Sequence, residues 1–101
     1  MDIAALERMI EQGRDSYEAR LAVGQAHLKL GQFDQAIVHL QVATQTQPDK
    51  TVGWQLLGQA QRDHGDGAAA RASWERGIEV AATNGDEQAK KVMQVWLKRL
   101  G

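Results

Sequence analysis

The sequence predicts an all-α fold, a right-handed helical-repeat array of about six antiparallel helices, and three observations carry that prediction. The chain repeats itself: a shift of 34 residues superposes Gly24 on Gly58, Gly31 on Gly65, Ala36 on Ala70 and Leu40 on Trp74, with Ile37 on Arg71 as the visible mismatch. A fixed period of that length marks units that bury their apolar faces by stacking on one another. Between the turn glycines the apolar residues recur at helical spacing. Strand signals are lacking, because no alternating run enriched in β-branched residues occurs and Asn84-Gly85 does not separate two such runs.

The period divides the chain into an N-terminal capping helix over 2–12, one unit over 17–50, a second over 51–84 and a C-terminal capping helix over 86–100. Shifted back by one period, Leu6 falls on Leu40 and Ile3 on Ile37, so residues 2–12 read as the second helix of a truncated unit closed by Gly13. In the first unit Asp15 and Glu18 have capping-box spacing, the apolar residues Leu21, Ala22, Val23, Ala26 and Leu30 follow, and Gly31 ends the helix. Asp34 is placed to cap the next helix, whose face Ile37, Leu40, Ala43, Thr44 runs until Pro48 stops it. The second unit repeats this with Trp54, Leu56, Leu57 and Ala60 before Gly65, then Ala69, Ala70, Trp74, Ile78 and Ala81 after it. Asn84-Gly85 joins two helices, and Asp86 caps a last one with Ala89, Val92, Met93, Trp96, Leu97 and Leu100 on its apolar side. Lys90, Lys91, Lys98 and Arg99 line its other side, and the last two complement the carbonyl end of the helix dipole.

Composition narrows the function classes. With 43% hydrophobic and 25% charged residues the chain has enough apolar content to fold rather than stay disordered. Twelve lysines and arginines against 13 acidic residues leave no positive field for a phosphate backbone, so no nucleic-acid partner is expected. The absence of cysteine excludes disulfides, thiol catalysis and cysteine-ligated zinc, and fits a reducing compartment, so a cytoplasmic location is expected. The N-terminal residues lack the basic head and apolar run of a signal peptide, no stretch is of membrane-spanning length, and no membrane partner is expected.

Trp54, Leu57, Gly58, Ala70, Trp74 and Gly77 in one unit, with Val23, Gly24, Phe33, Ala36, Leu40, Ala43 and Pro48 in the other, resemble the tetratricopeptide repeat signature of fixed residues within 34. The spacing has a physical reason. Gly24 with Ala36, and Gly58 with Ala70, belong where two antiparallel helices approach most closely, and Leu40 and Trp74 fill the space between pairs. Arg20, His27, Gln61, Gly67, Gly77 and Ala82 depart from the family pattern, and an interior glycine such as Gly77 costs about 1 kcal/mol against alanine.

The resemblance implies a non-catalytic interaction module that holds a peptide or helix of a partner protein on its concave face. It maps that face to Glu18, Leu21, Gln25, Leu28 and Lys29 in the first unit and to Val52, Gln55, Gln59, Arg62 and Asp63 in the second. Among these, Leu21, Gln25, Leu28, Lys29, Gln55, Gln59 and Arg62 are the candidate groove residues: the amides can donate and accept toward an extended backbone, the cations can pair with a carboxylate, and the leucines can anchor. Clamping of a chaperone's terminal carboxylate is not expected, because Leu21 and Gln25 occupy two of the clamp-like positions and no asparagine does.

No cofactor and no metal are expected. His27, His39 and His64 show no i, i+4 pairing, and structural or surface roles are expected for them. An enzyme is not expected either, because no nucleophile with a base, no close pair of carboxylates and no phosphate loop after a strand is present, Gly65-Asp66-Gly67 being a turn between helices. The second expectation is a self-associating structural subunit, a weak homo-oligomer, because two units are fewer than the three usual for a stable stack.

Overall fold

The computed structural model describes residues 2–101 of the chain. Six helices follow one another: α1 (Ile3–Glu11), α2 (Tyr17–Lys29), α3 (Phe33–Thr46), α4 (Thr51–Asp63), α5 (Gly67–Asn84) and α6 (Glu87–Leu100). Among the described residues there is no strand. Each helix packs on the next in the chain. Helix α2 also touches α4, and α4 touches α6, whereas the backbones of α1, α3 and α5 do not approach one another closely. The array therefore curves, with α2, α4 and α6 on its inner side.

Glycines close the turns where the sequence places them. Gly31 and Gly65 lie at φ of 73° and 94°, a left-handed conformation that side chains resist. The residue after each donates back into the preceding helix in the same way, Gln32 to the His27 carbonyl and Asp66 to the Gln61 carbonyl, both at 2.9 Å. The caps differ from expectation at two places. Ser16, not Asp15, accepts from the Ala19 amide at the start of α2, because the Asp15 carboxylate is held by Arg20 instead. Asp34 does not cap α3, which begins one residue earlier at Phe33; its carboxylate lies 3.0 Å from His64 Nε2. Asp2, Asp66 and Asp86 cap α1, α5 and α6 with their side chains.

The two helical pairs pack through the small residues that the period aligns. Between α2 and α3, Leu40 is fully buried against Gly24, and a Cβ added at Gly24 would lie 2.6 Å from Leu40 Cγ. Between α4 and α5, Trp74 takes the equivalent place, and a Cβ at Gly58 would lie 2.1 Å from Trp74 Nε1. The indole is fixed there by donating to the Gln55 carbonyl at 3.2 Å. Burying Leu40 stabilises the first pair by about 1.5–3 kcal/mol.

Leu40, Ala36, Leu57 and Ala60 form one core cluster, and Ala70, Trp74, Ala81 and Met93 a second. Helix α6 covers the second cluster. Its Trp96 packs on Trp74 with ring centroids 5.1 Å apart, and Met93 is fully buried. Gly77 is the reverse of a loosening residue: a Cβ there would lie 2.6 Å from Met93 Sδ and 3.0 Å from Trp54 Cβ, so the missing side chain lets α5 close on both neighbours.

Candidate functional site

Helices α2 and α4 run side by side on the inner side of the curve, and they carry all seven candidate groove residues. Gln25 and Lys29 are exposed on α2, where they line a trough against α1 together with Ile3, Leu6, Ala22, Ala26 and Leu30. Leu21 and Leu28 are half-buried and pack on the first core cluster, so each offers only one flank to solvent. Gln55 and Gln59 are half-buried on α4. The side-chain amides of Gln25, Gln55 and Gln59 have no hydrogen-bond partner among the described residues, although the Gln55 backbone carbonyl accepts from Trp74.

Arg62 has a more committed environment than its spacing conveys. Its guanidinium lies 5.6 Å from the Trp74 ring centroid and 5.7 Å from that of Trp96, and Nε donates to Asp63 at 3.0 Å. Cation–π attraction at a partly desolvated site contributes about 0.5–2 kcal/mol, so this arginine joins α4 to α5 and α6. Sequence spacing could not reveal it, because Trp96 belongs to a different turn of the array.

The structure also brings together groups that the sequence leaves apart. Glu7 of α1, His27 of α2 and His39 of α3 place one potential ligand atom each within 4.8 Å of one another. His27 is buried, and its ring lies nearly parallel to that of His39, with centroids 5.6 Å apart. Its Nδ1 lies 2.7 Å from Gln32 Oε1, an acceptor, so Nδ1 carries a proton and donates it. The other ring nitrogen, Nε2, is buried without a hydrogen bond, although Glu7 Oε1 approaches to 3.3 Å.

On the other side of His39, Arg20 Nη1 lies 3.1 Å from Nδ1 while Nε and Nη2 donate to the two Asp15 oxygens, each at 2.8 Å. Burial and then the Arg20 charge push the His39 imidazole below its ordinary value, so it is neutral at pH 7. The bond from Arg20 holds Asp15 below the usual carboxylate range, and that same bond raises Arg20. Burial raises the Tyr17 phenol where it packs under α4.

The second pair solves the same position differently. The residues one period on from His27 and His39 are Gln61 and Ser73, and the Ser73 hydroxyl donates to Gln61 Oε1 at 2.6 Å. Both are buried. That polar pair is closed on itself, whereas the histidine pair is not.

An array of antiparallel helical pairs with this period, these crossing glycines and an inward-facing helix layer defines a helical-repeat protein. The chain belongs to the tetratricopeptide repeat family, whose model matches residues 3–60. It is 42% identical over 100 residues to a TPR repeat-containing protein of Pseudomonas aeruginosa, covering 99% of this chain and 95% of that one. It is also similar to a protein of Bordetella parapertussis solved in solution, at a TM-score of 0.85 and 38% identity, covering 99% of this chain and 87% of the other. Repeats of this family generally mediate protein–protein interaction and are typically not enzymes. Among the described residues no helix is long and apolar enough to cross a membrane.

Proposed function

We infer that this chain is a non-catalytic recognition module of the cytoplasm, holding an extended peptide or a helix of a partner protein on the inner face of α2 and α4. The observation that supports this reading most is the set of amides on adjacent helices, Gln25, Gln55 and Gln59, whose hydrogen-bonding capacity is not spent within the described residues. An extended backbone presents alternating donors and acceptors, and an amide side chain can meet either. Lys29 offers a point charge to a carboxylate, Leu21 and Leu28 offer a partly covered apolar floor, and Arg62, whose guanidinium lies near two indoles, offers a second cation. A surface already set by helix packing needs little ordering on binding, so few contacts suffice for useful affinity.

The test is selection of peptides on the wild-type chain from a displayed random library, followed by titration of the selected peptides. The variant carrying Gln25→Glu and Gln59→Glu is expected to bind them about tenfold more weakly or worse, with unchanged circular dichroism and Tm, because each substitution removes two donors and adds a charge. Equal affinity would refute the inner-face assignment.

Val52 on α4 and Val95 on α6 are 47% and 45% exposed, which favours a second reading, self-association through the inner layer. Sedimentation across a wide concentration range separates the two. A monomer that binds the selected peptides supports recognition, and a dimer broken by Val52→Glu supports assembly.

A further inference from the structure

We propose that Glu7, His27 and His39 form a binding site for one divalent transition-metal ion of the zinc class, which ties α1 to the first helical pair. The site begins with a buried nitrogen that has no hydrogen bond. His27 Nδ1 donates to Gln32, which leaves Nε2 as the ring nitrogen turned to the site, buried, without a hydrogen bond and 3.3 Å from the Glu7 carboxylate. A Lewis acid between the nitrogen and the oxygen would bind both.

The distance fits an ion. Two bonds of about 2.0–2.1 Å at the tetrahedral angle put their ligand atoms roughly 3.3 Å apart, each about 35° off the other's bonding axis. The donor set of two imidazoles and one carboxylate suits Zn²⁺, Co²⁺ or Ni²⁺. Gln32 supplies the outer hydrogen bond that fixes a metal-binding imidazole in the required tautomer. His39 completes the set, while Arg20, 3.1 Å from its Nδ1, stays tied to both Asp15 oxygens.

The site has a structural purpose that the fold makes plain. Of the six helices, α1 packs on α2 alone and buries only Leu6. An ion shared by α1, α2 and α3 would supply the tie that this short helix lacks.

The second pair provides a control that keeps the packing. Gln61 and Ser73 occupy the equivalent positions and satisfy each other, so the double variant His27→Gln, His39→Ser grafts a polar pair that this fold already buries. The full chain, without a histidine tag, is titrated with CoCl₂ while the visible spectrum is recorded, and then with ZnCl₂ in competition. The wild type is expected to show the intense band of tetrahedral Co²⁺ saturating at one equivalent, displaced by Zn²⁺, and a Tm raised by Zn²⁺. The double variant is expected to fold by circular dichroism and show neither. Glu7→Gln, a half-exposed change that cannot unfold the core, is expected to weaken Co²⁺ binding by at least the roughly 10–100-fold that losing an outer-shell partner costs. A wild-type chain that gives no such band at millimolar Co²⁺, or a Glu7→Gln variant that binds as the wild type does, overturns the proposal.

Discussion

The first helical pair, α2 with α3, and the second, α4 with α5, are built on one pattern but packed with different stringency. Leu40 fills the first crossing and Trp74 the second, each against a glycine. Leu40 is a single aliphatic side chain, more flexible than an indole. Trp74 is a rigid plate held from three sides, by its bond to the Gln55 carbonyl, by Trp96 and by the Arg62 guanidinium. The polar positions divide the other way, since Gln61 and Ser73 of the second pair bond each other while the first pair leaves His27 Nε2 without a partner. Identical spacing therefore allows one pair to be a tight structural block and the other to keep open chemistry.

Substituting the crossing glycines breaks or sharpens that comparison. Gly58→Ala is expected to have the largest effect, a loss of about 3 kcal/mol by denaturant unfolding, because its Cβ meets an indole that cannot move aside. Adding Trp74→Leu to Gly58→Ala should recover part of the loss by giving the second pair the first pair's smaller knob. If the double variant is no better than Gly58→Ala alone, the rigidity of Trp74 is not the cause. Gly24→Ala is expected to cost about 1–2 kcal/mol, since Leu40 must shift but is a flexible side chain. Gly77→Ala should cost less again, under about 1 kcal/mol, because the gain in helix propensity offsets the displacement of Met93, whose thioether end is flexible. Trp54 Cβ at 3.0 Å keeps the net sign destabilising.

What was legible in the sequence follows from the same physics. A crossing point tolerates only the smallest residues, so Gly24, Ala36, Gly58 and Ala70 announce the helical pairs and their stacking. The caps were harder, because Asp15 and Ser16 are both competent and the choice was made by Arg20, which takes the aspartate away. Gly77 reads as a weak point on propensity alone, and only the position of Met93 and Trp54 reveals it as a close contact. Arg62 reads as a free cation for the same reason, since the indole that covers it comes from α6. The Glu7, His27 and His39 cluster was out of reach, because its members are 20 and 12 residues apart on three helices and meet only once α1 docks. A period shift that paired His27 and His39 with Gln61 and Ser73 was the one available signal that these positions are neighbours.

The smallest difference between the pairs is electrostatic, and it has a direction with pH. One period on from Asp15 and Arg20 stand Asp49 and Trp54, so only the first pair carries the two-armed carboxylate–guanidinium contact at its entrance. The Arg20 bond lowers the Asp15 carboxyl in the folded state, so its contribution is complete above the unfolded value of about 3.9 and disappears as pH falls through the lower folded one. With Asp15 42% exposed, the pair contributes well under about 1 kcal/mol. Asp15→Asn should therefore lower Tm slightly at about pH 6, and the gap from wild type should close as the pH falls far enough to protonate the wild-type carboxyl as well. Added salt should narrow the gap at the higher pH, because screening acts on exposed charges. A gap that persists unchanged in acid would assign Asp15 a role in its loop that owes nothing to the charge on Arg20.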